Sequence, residues 1–185
     1  MDVPARAVVL VEGISDRVAL ETLAGRRGRD LEAEGVAVVP IGGAHAIGGF
    51  LARYGSDVRV AGLCDAGEER HFRRALERAG LGSDLTRAGM ERLGFYVCVV
   101  DLEDELIRSL GADAVLRVAE AEGDLGAFRT LQKQPAWEGR RVEAQLRRWL
   151  GSGGRRKIRY ARLLIEALDL GDVPRPLDAV LAHTG

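Results

Sequence analysis

The sequence predicts an α/β protein with a mostly parallel, four-stranded sheet that is flanked by helices and followed by a helical carboxyl-terminal extension. Apolar runs of strand length alternate with helical patterns in the amino-terminal part of the chain, which favours parallel strands joined by right-handed crossovers. From about residue 112 the pattern is helical throughout. We therefore predict a catalytic sheet domain at residues 1–111 and a helical extension, packed on it, at residues 112–185.

The first strand is predicted at residues 8–11, where consecutive aliphatic residues are typical of a strand buried on both faces. A helix at residues 16–24 and a polar loop at residues 25–34 follow, and the second strand covers residues 36–41. The glycine-rich residues 41–49 then open a helix. Such a segment can approach a phosphate, but it lacks the P-loop lysine, so we interpret its glycines as tight turns and predict no nucleoside triphosphate site.

The third strand is predicted at residues 58–64 with a charged helix after it, and the fourth at residues 95–100 with a helix that starts at the acidic residues 101–106. Predicted helices of the extension cover residues 114–121, 125–134, 138–150, 157–168 and 176–182. A dense basic cluster at residues 153–160 lies at a helix start. Positive charge is unfavourable there, which suggests an external anion.

Composition restricts the classes of function. The net charge of −1 gives no global basic field for nucleic acid, so any such attraction depends on local patches. Cys64 and Cys98 fall in predicted buried strands without zinc-site spacing, so we expect reduced thiols and a cytoplasmic protein. No apolar run approaches the roughly 20 residues that span a bilayer, and we expect no membrane contact.

Acidic residues follow three of the predicted strands. Glu12, Asp65 and Asp101 each come at the end of an apolar run, and the carboxyl ends of parallel strands meet at one edge of a sheet, where ligands bind. Crowded carboxylates repel, so either their pKa values rise or a cation neutralises them. Oxygen ligands without His or Cys suit Mg²⁺, Mn²⁺ or Ca²⁺, which orient phosphates and activate water. This pattern predicts phosphodiester cleavage or transfer.

Several of the neighbouring polar residues have simpler interpretations. Asp16 beside Ser15 is equally compatible with a helix cap, and acids at residues 103–105 are favoured in a first helical turn. Glu68 and Glu69 are typical of solvated helix charges. We assign the three histidines to the surface or to loops: His45, His71 and His183.

The ordered set of motifs resembles the TOPRIM domain of topoisomerases, bacterial primases and certain nucleases. The run from Val11 to Asp16 is similar to the glutamate motif of the OLD (overcoming lysogenization defect) nucleases, in which the aspartate four residues later is also a metal ligand. The run from Asp101 to Leu106 is similar to their later acidic motif, whose glutamate binds metal. Residues 154–161 and 173–177 are similar to their helical carboxyl-terminal part, where a lysine that matches Lys157 assists catalysis.

Two departures from that family bear on the metal and on partners. Where the family has Asp-x-Asp, this chain has Asp65-Ala66-Gly67, so the second of two metal sites is weakened unless Glu68 or Glu69 substitutes as a ligand. OLD nucleases also carry an ABC-type ATPase that dimerises, and these residues contain no Walker motif. The resemblance therefore implies either a separate ATPase subunit or a module that works alone, with a homodimer as a further possibility.

The resemblance implies a TOPRIM nuclease that cuts DNA with Mg²⁺ or Mn²⁺. In this family pattern, Glu12, Asp16 and Asp65 would hold one ion, and Asp101 and Glu103 would help to hold a second. Lys157 would stabilise charge that develops on the phosphate. The DNA backbone would be bound by Lys157 together with Arg155, Arg156 and Arg159. Of these, Glu12, Asp65 and Lys157 are the predicted catalytic residues. The alternatives are a degenerate TOPRIM module that binds nucleic acid or a partner protein without catalysis, and a primase-like nucleotidyltransferase.

Overall fold

A four-stranded parallel sheet forms the centre of the protein, as a computed structural model shows for residues 5–54 and 57–185. The strands are β1 (Ala7–Val11), β2 (Val36–Pro40), β3 (Arg59–Cys64) and β4 (Phe95–Val97), in the order β2-β1-β3-β4. Every pairing is parallel. The predicted α/β class is therefore confirmed, and residues 1–4 of the predicted first domain lie outside the described residues.

Helices cover both faces of this sheet. Those of the amino-terminal part are α1 (Ile14–Arg26), α2 (Ile47–Leu51), α3 (Glu69–Arg78), α4 (Arg87–Arg92) and α5 (Leu102–Leu110). Those that follow are α6 (Ala112–Ala121), α7 (Leu125–Gln132), α8 (Val142–Gly151), α9 (Gly154–Ala167) and α10 (Arg175–His183). No helix of the described ranges combines the length and apolar character that a membrane crossing requires.

Strand β1 supplies both layers of the hydrophobic core. Its five residues are all buried, and because side chains alternate along a strand, Val9 and Val11 join one cluster while Val8 and Leu10 join the other. The first cluster contains apolar residues of α1 and α5 to α10, and the second contains those of α2, α3 and α4. One core is thus shared by both predicted domains, and the boundary near residue 111 stays a prediction.

Polar contacts tie α1 to the extension as well. Arg26, in the last turn of α1, donates to the backbone carbonyls of Ile165 at 2.7 Å and Leu168 at 2.5 Å, at the carboxyl end of α9, where carbonyls lack their full set of helical partners. The guanidinium is favourably placed because the end of a helix carries partial negative charge. This contact fixes α9, whose first turn carries Lys157, against the helix that begins beside Glu12.

The fourth strand is shorter than the sequence predicts. It ends at Val97, where its partner β3 ends at Cys64, instead of continuing to residue 100. Val99 is 58% exposed, and its backbone N–H donates to Oε1 of Glu105 at 2.6 Å, whereas the N–H of Cys98 still donates to the carbonyl of Cys64 on the β3 side. Helix α4 was not predicted either; Thr86 caps it by accepting from the N–H of Gly89 at 3.1 Å.

Candidate acidic site at the carboxyl edge of the sheet

Glu12 lies in the turn between β1 and α1 and connects three segments of the chain. Its Oε1 accepts a hydrogen bond from the backbone N–H of Asp65 at 2.8 Å, across the ends of β1 and β3. Its backbone carbonyl accepts from Gly42 and Gly43, each at 3.2 Å. Those glycines have φ values of 76° and 118°, which side chains disfavour. The glycine-rich segment therefore forms a tight turn that holds Glu12, as the sequence suggests.

Asp16 caps a helix, which is one of the two roles that the sequence left open for it. Its Oδ2 accepts from the backbone N–H of Gly13 at 2.9 Å, so it caps the start of α1. It is also only 8% exposed and faces the other acids. Burial raises the pKa of the Asp16 carboxyl, against the opposing effects of the Gly13 hydrogen bond and the charge of Lys157.

Asp65 follows β3 and begins a short 3-10 turn at Ala66–Glu68. Burial, with the nearby charges of Glu12 and Asp16, raises the pKa of Asp65 to about 8. Burial also raises the pKa of Glu12, partly offset by the hydrogen bond from Asp65. The structure thus brings Glu12, Asp16 and Asp65 together at one edge of the sheet, in surroundings that disfavour three negative charges.

Lys157 reaches the same acids from the first turn of α9. Its Nζ lies 3.4 Å from Oε1 of Glu103, which is only 7% exposed. Although burial opposes its charge, Glu103, Asp16 and Asp65 outweigh that effect and raise the pKa of Lys157. The positive charge of Lys157 in turn offsets part of the rise in the pKa values of Glu12, Asp16 and Asp65. Lys157 is therefore a cation held within the acidic cluster.

Asp101 stands farther along the same edge. Its Oδ1 caps α5 by accepting from the N–H of Asp104 at 2.9 Å, and its Oδ2 pairs with Arg147 of α8 at 2.7 Å. The negative charge of Asp101 contributes to the raised pKa values of Asp16 and Asp65, so Asp101 interacts electrostatically with both acids. No pattern in the sequence signals the pairing with Arg147, because only the packing of α8 on α5 brings these residues together.

Some acids of the segments after β3 and β4 lie in the site, and others pair with arginines elsewhere in the fold. Asp104 and Glu105 pair with Arg108, and Glu69 pairs with Arg87 of α4 at 2.5 Å. Glu68 remains beside Glu12, since its charge raises the pKa of that carboxyl. Of the two possible substitute ligands, Glu68 is therefore the one directed towards the other acids.

Two histidines extend this group: His45 is exposed in the turn after β2, and the side chain of His71 is 41% exposed, which agrees with their predicted surface positions. His71 Nδ1 lies 2.9 Å from Oε2 of Glu68, and the rings of His71 and His45 pack edge to face with centroids 4.2 Å apart. A Glu-x-x-His spacing at the start of a helix places both residues on one face and could have predicted the first contact. The contact with His45 depends on how the glycine-rich turn packs.

The basic residues near the start of α9 have unequal freedom. Arg156 donates to the carbonyls of Trp149 and Ser152 at the end of α8, each at 3.1 Å, and lies over the Trp149 ring. Arg159 pairs with Asp124. Arg155 is exposed, and no described residue pairs with its guanidinium. The end of α8 thus accommodates part of the positive charge that the sequence suggested was placed for an external anion.

The donor set is suited to a hard divalent ion. Within residues 5–54 and 57–185, no group of three or more His, Cys, Asp or Glu side chains is arranged to hold a metal ion. The pKa values of Glu12, Asp16 and Asp65 are nevertheless raised, first by burial and further by neighbouring acids, so this edge disfavours several negative charges at once. Oxygen donors of this kind match Mg²⁺ or Mn²⁺ rather than zinc.

Comparisons with known proteins agree with the fold. Residues 5–65 match the family described as overcoming lysogenization defect protein-like, TOPRIM domain. The chain is similar to the solved C-terminal region of the Xanthomonas campestris pv. campestris OLD protein, with 23% identity, a TM-score of 0.72, and 97% of this chain and 94% of that chain covered. It is also similar to the C-terminal region of the Burkholderia pseudomallei OLD protein, with 19% identity, a TM-score of 0.73, and 97% of each chain covered.

At these identities the solved structures establish likeness of fold. No curated protein sequence matches the chain. The family match ends at Asp65 and includes the motif that carries Glu12 and Asp16, whereas Lys157 and the later acids lie in the part that the solved structures cover. Residues 5–65 therefore match the OLD-like TOPRIM domain family, and the chain as a whole has the fold of the C-terminal region of OLD proteins.

Proposed function

We propose that this protein is a nuclease that cleaves DNA phosphodiester bonds with Mg²⁺ or Mn²⁺. The observation that supports this most strongly is the convergence of Glu12, Asp16 and Asp65 beside Lys157, with the pKa of Asp65 raised to about 8. An acidic edge with one half-buried cation, Lys157, carries excess negative charge, and a divalent ion would offset that charge. The TOPRIM family assignment gives the phosphodiester chemistry independent support.

In this proposal Glu12, Asp16 and Asp65 hold one ion, and Asp101 and Glu103 contribute to a second. A divalent ion supplies a Lewis acid that polarises the phosphoryl group and offsets developing negative charge. Glu12 is fixed for this role by its hydrogen bond from Asp65 at 2.8 Å. Because two acids already have other contacts, Asp101 with Arg147 and Glu103 with Lys157, a second ion would have to compete with these cations.

Lys157 would act on the substrate phosphate. Its raised pKa keeps the ammonium charged at neutral pH, and its 3.4 Å contact with Glu103 holds it beside the acids. An ammonium in that place can donate hydrogen bonds to phosphate oxygens as their charge increases in the transition state. Arg155, which has no side-chain partner among the described residues, is free to contact the DNA backbone without reading its sequence.

Nicking of supercoiled plasmid tests the proposal. We expect cleavage with Mg²⁺ or Mn²⁺, none with EDTA, and at least about a hundredfold loss in Glu12→Ala and Asp65→Ala. Glu120→Ala is the matched control, because Glu120 is an exposed acid on α6 away from the site. Cleavage that persists in both site variants would exclude the proposed mechanism.

A second candidate function is favoured by Gly67. With no carboxylate at this position, the module would bind nucleic acid or a separate ATPase subunit without cleaving DNA. Wild-type protein that binds DNA and shows no Mg²⁺-dependent heat in calorimetry would favour this alternative. A measurable heat that disappears in Asp65→Ala would favour the nuclease.

A further inference from the structure

A pocket adjoins the acidic site on the side of the helical extension. It has a volume of about 380 Å³, within the usual size of small-ligand sites. Asp101, Glu103 and Lys157 form the wall that it shares with the acidic site. The remaining lining residues are Trp137, Ala144, Arg147, Arg148 and Gly151. Any group bound in this pocket is therefore next to the residues to which we assign phosphate chemistry.

One face of α8 forms much of the lining. Ala144, Arg147, Arg148 and Gly151 follow the i, i+3, i+4, i+7 spacing of a single helical face, while the opposite face carries buried residues such as Leu146 and Trp149. The two small residues, Ala144 and Gly151, leave room between the arginines. A Cβ at Gly151 would meet no atom within 4 Å, so the space there is open.

Trp137 is held in place by a buried hydrogen-bond relay. It lies in the connection between α7 and α8, and its backbone carbonyl accepts from Nε2 of Gln145 at 2.7 Å. Oε1 of Gln145 accepts in turn from Nε2 of Gln132 at 2.8 Å, and Gln145 is only 5% exposed. The loop that carries the indole is thus anchored to both flanking helices, so the aromatic wall of the pocket exists before any ligand binds.

The charges of the pocket favour an anion next to the aromatic ring. Arg147 is paired with Asp101 at 2.7 Å and Lys157 with Glu103 at 3.4 Å. Arg148 is exposed, and its guanidinium has no partner in the described part of the chain. An aromatic ring together with an unpaired arginine is the combination that binds a base and its phosphate in single-stranded nucleic acid.

We infer that this pocket binds one unpaired nucleotide of the DNA substrate, with its base against Trp137 and its phosphate at Arg148. The inference rests on the proposed function, which places the scissile phosphate at the adjoining acidic edge. A base within a duplex has both faces covered by its neighbours and cannot enter such a pocket unless it leaves the stack. The protein therefore prefers DNA that is single-stranded next to the cleaved bond.

Binding in EDTA tests the pocket without cleavage. The probes are a fluorescein-labelled single strand of about 12 nucleotides and a closed dumbbell duplex without free ends, each followed by fluorescence anisotropy. We expect the wild type to bind the single strand more tightly. Trp137→Ala should weaken single-strand binding about tenfold and change duplex binding by less than about twofold. Trp137→Phe should retain most of the affinity, because the ring remains.

Two further variants separate recognition from stability. Gly151→Leu should fill the pocket without altering Trp137 and should weaken single-strand binding about as much as Trp137→Ala. Tyr54→Ala is the aromatic control, because Tyr54 lines a different pocket with Val58 and Phe95, and it should bind both probes like the wild type. Thermal unfolding of every variant shows whether each remains folded.

Equal loss of affinity for both probes in Trp137→Ala, or unchanged single-strand binding in Gly151→Leu, would overturn the inference. If either result is found and plasmid nicking still requires Glu12, the proposed nuclease stands and the nucleotide-binding role of the pocket is rejected. Conversely, if single-strand binding requires Trp137 but the protein does not nick plasmid, the nucleotide-binding role of the pocket is supported and the nuclease proposal is rejected.

Discussion

The carboxylate of Glu12 accepts a hydrogen bond from the backbone N–H of Asp65 at 2.8 Å, and this contact joins the carboxyl ends of two neighbouring strands. The backbone of Asp65 thus positions the Glu12 carboxylate, and the side chain of Asp65 supplies the second acid. The arrangement keeps the two carboxylates close although burial raises the pKa of each. The folded state therefore tolerates unfavourable charge at this edge, which has measurable consequences.

The first consequence is a dependence of stability on pH in the absence of divalent ions. The unfolded chain releases the Asp65 proton near the ordinary pKa of 3.8, whereas the folded protein retains it up to about 8. Between these values the folded state binds the extra proton, so the free energy of unfolding should fall as pH rises, by up to about 1.4 kcal/mol per pH unit. Urea unfolding in EDTA at about pH 5 and about pH 8 measures this change.

Asp65→Asn should reduce that pH dependence, because an amide does not titrate. Asp113→Asn is the matched control, since Asp113 is an exposed aspartate in the first turn of α6. It should leave the dependence unchanged. An identical dependence in the wild type and Asp65→Asn would show that Asp65 does not retain its proton in the folded protein.

Divalent ions should reverse this loss of stability. An ion that binds only the folded state at about 100 times its Kd contributes about 2.7 kcal/mol, which raises the Tm of a protein of this size by about 5 to 10 °C. The increase should be larger at about pH 8 than at about pH 5, because the ion competes with protons for the carboxylates. Differential scanning calorimetry with Mg²⁺ measures it. Asp16→Asn should lose most of the increase, and an unchanged increase would place the ion elsewhere.

Much of this edge could be predicted from the sequence, because the end of a buried strand determines where the next residue points. The apolar runs before Glu12 and Asp65 predict strands, and the parallel order brings their ends together. The end of β4 was harder to predict, since residues 98–100 continue the apolar run and look like strand residues. There the Glu105 side chain accepts from the N–H of Val99 at the open edge of the sheet, a contact that the apolar run does not predict.

Contacts made by the extension could not be predicted in the same way. Lys157 and Glu103 come together because α9 packs against α5, and the local sequence contains no pattern for that pairing. The same holds for Asp101 and Arg147. Resemblance to a known family predicted Lys157 as a site residue, whereas its distance from the acids required the three-dimensional structure.

Removal of the Lys157 charge should reduce cleavage far more than binding. If the ammonium stabilises charge on the phosphate, Lys157→Met should lower the nicking rate about 100-fold to 1000-fold. Arg155→Met removes a charge from the same helical turn without disturbing a carboxylate, and it should mainly weaken binding of DNA. Rates at saturating plasmid and anisotropy in EDTA separate the two effects. Similar loss of rate in both variants would assign Lys157 to general charge attraction alone.

Gly62 should be intolerant of even one added methyl group. A Cβ there would lie 2.6 Å from Cδ1 of Phe95, its register partner on β4, whose ring is buried in the core. Gly62→Ala should therefore cost about 1 to 3 kcal/mol in the free energy of unfolding. Gly126→Ala is the control, because a Cβ in that helix meets nothing within 4 Å, and it should be neutral or slightly stabilising. Equal stability of both variants by urea unfolding would mean that the strands adjust to the extra atom.

Restoring a carboxylate at Gly67 should strengthen ion binding. Gly67 is exposed in the 3-10 turn after Asp65, and a Cβ at this position meets no atom within 4 Å, so Gly67→Asp should fold normally. The added charge gives the Asp-x-Asp pattern of the TOPRIM family and should tighten Mg²⁺ binding about tenfold or more, as one additional hard ligand at the acidic edge. Calorimetric titration with Mg²⁺ measures the change. Gly67→Asn has nearly the same shape without the charge and should give a much smaller effect, so equal tightening in both variants would show that the turn, and not the carboxylate, limits ion binding.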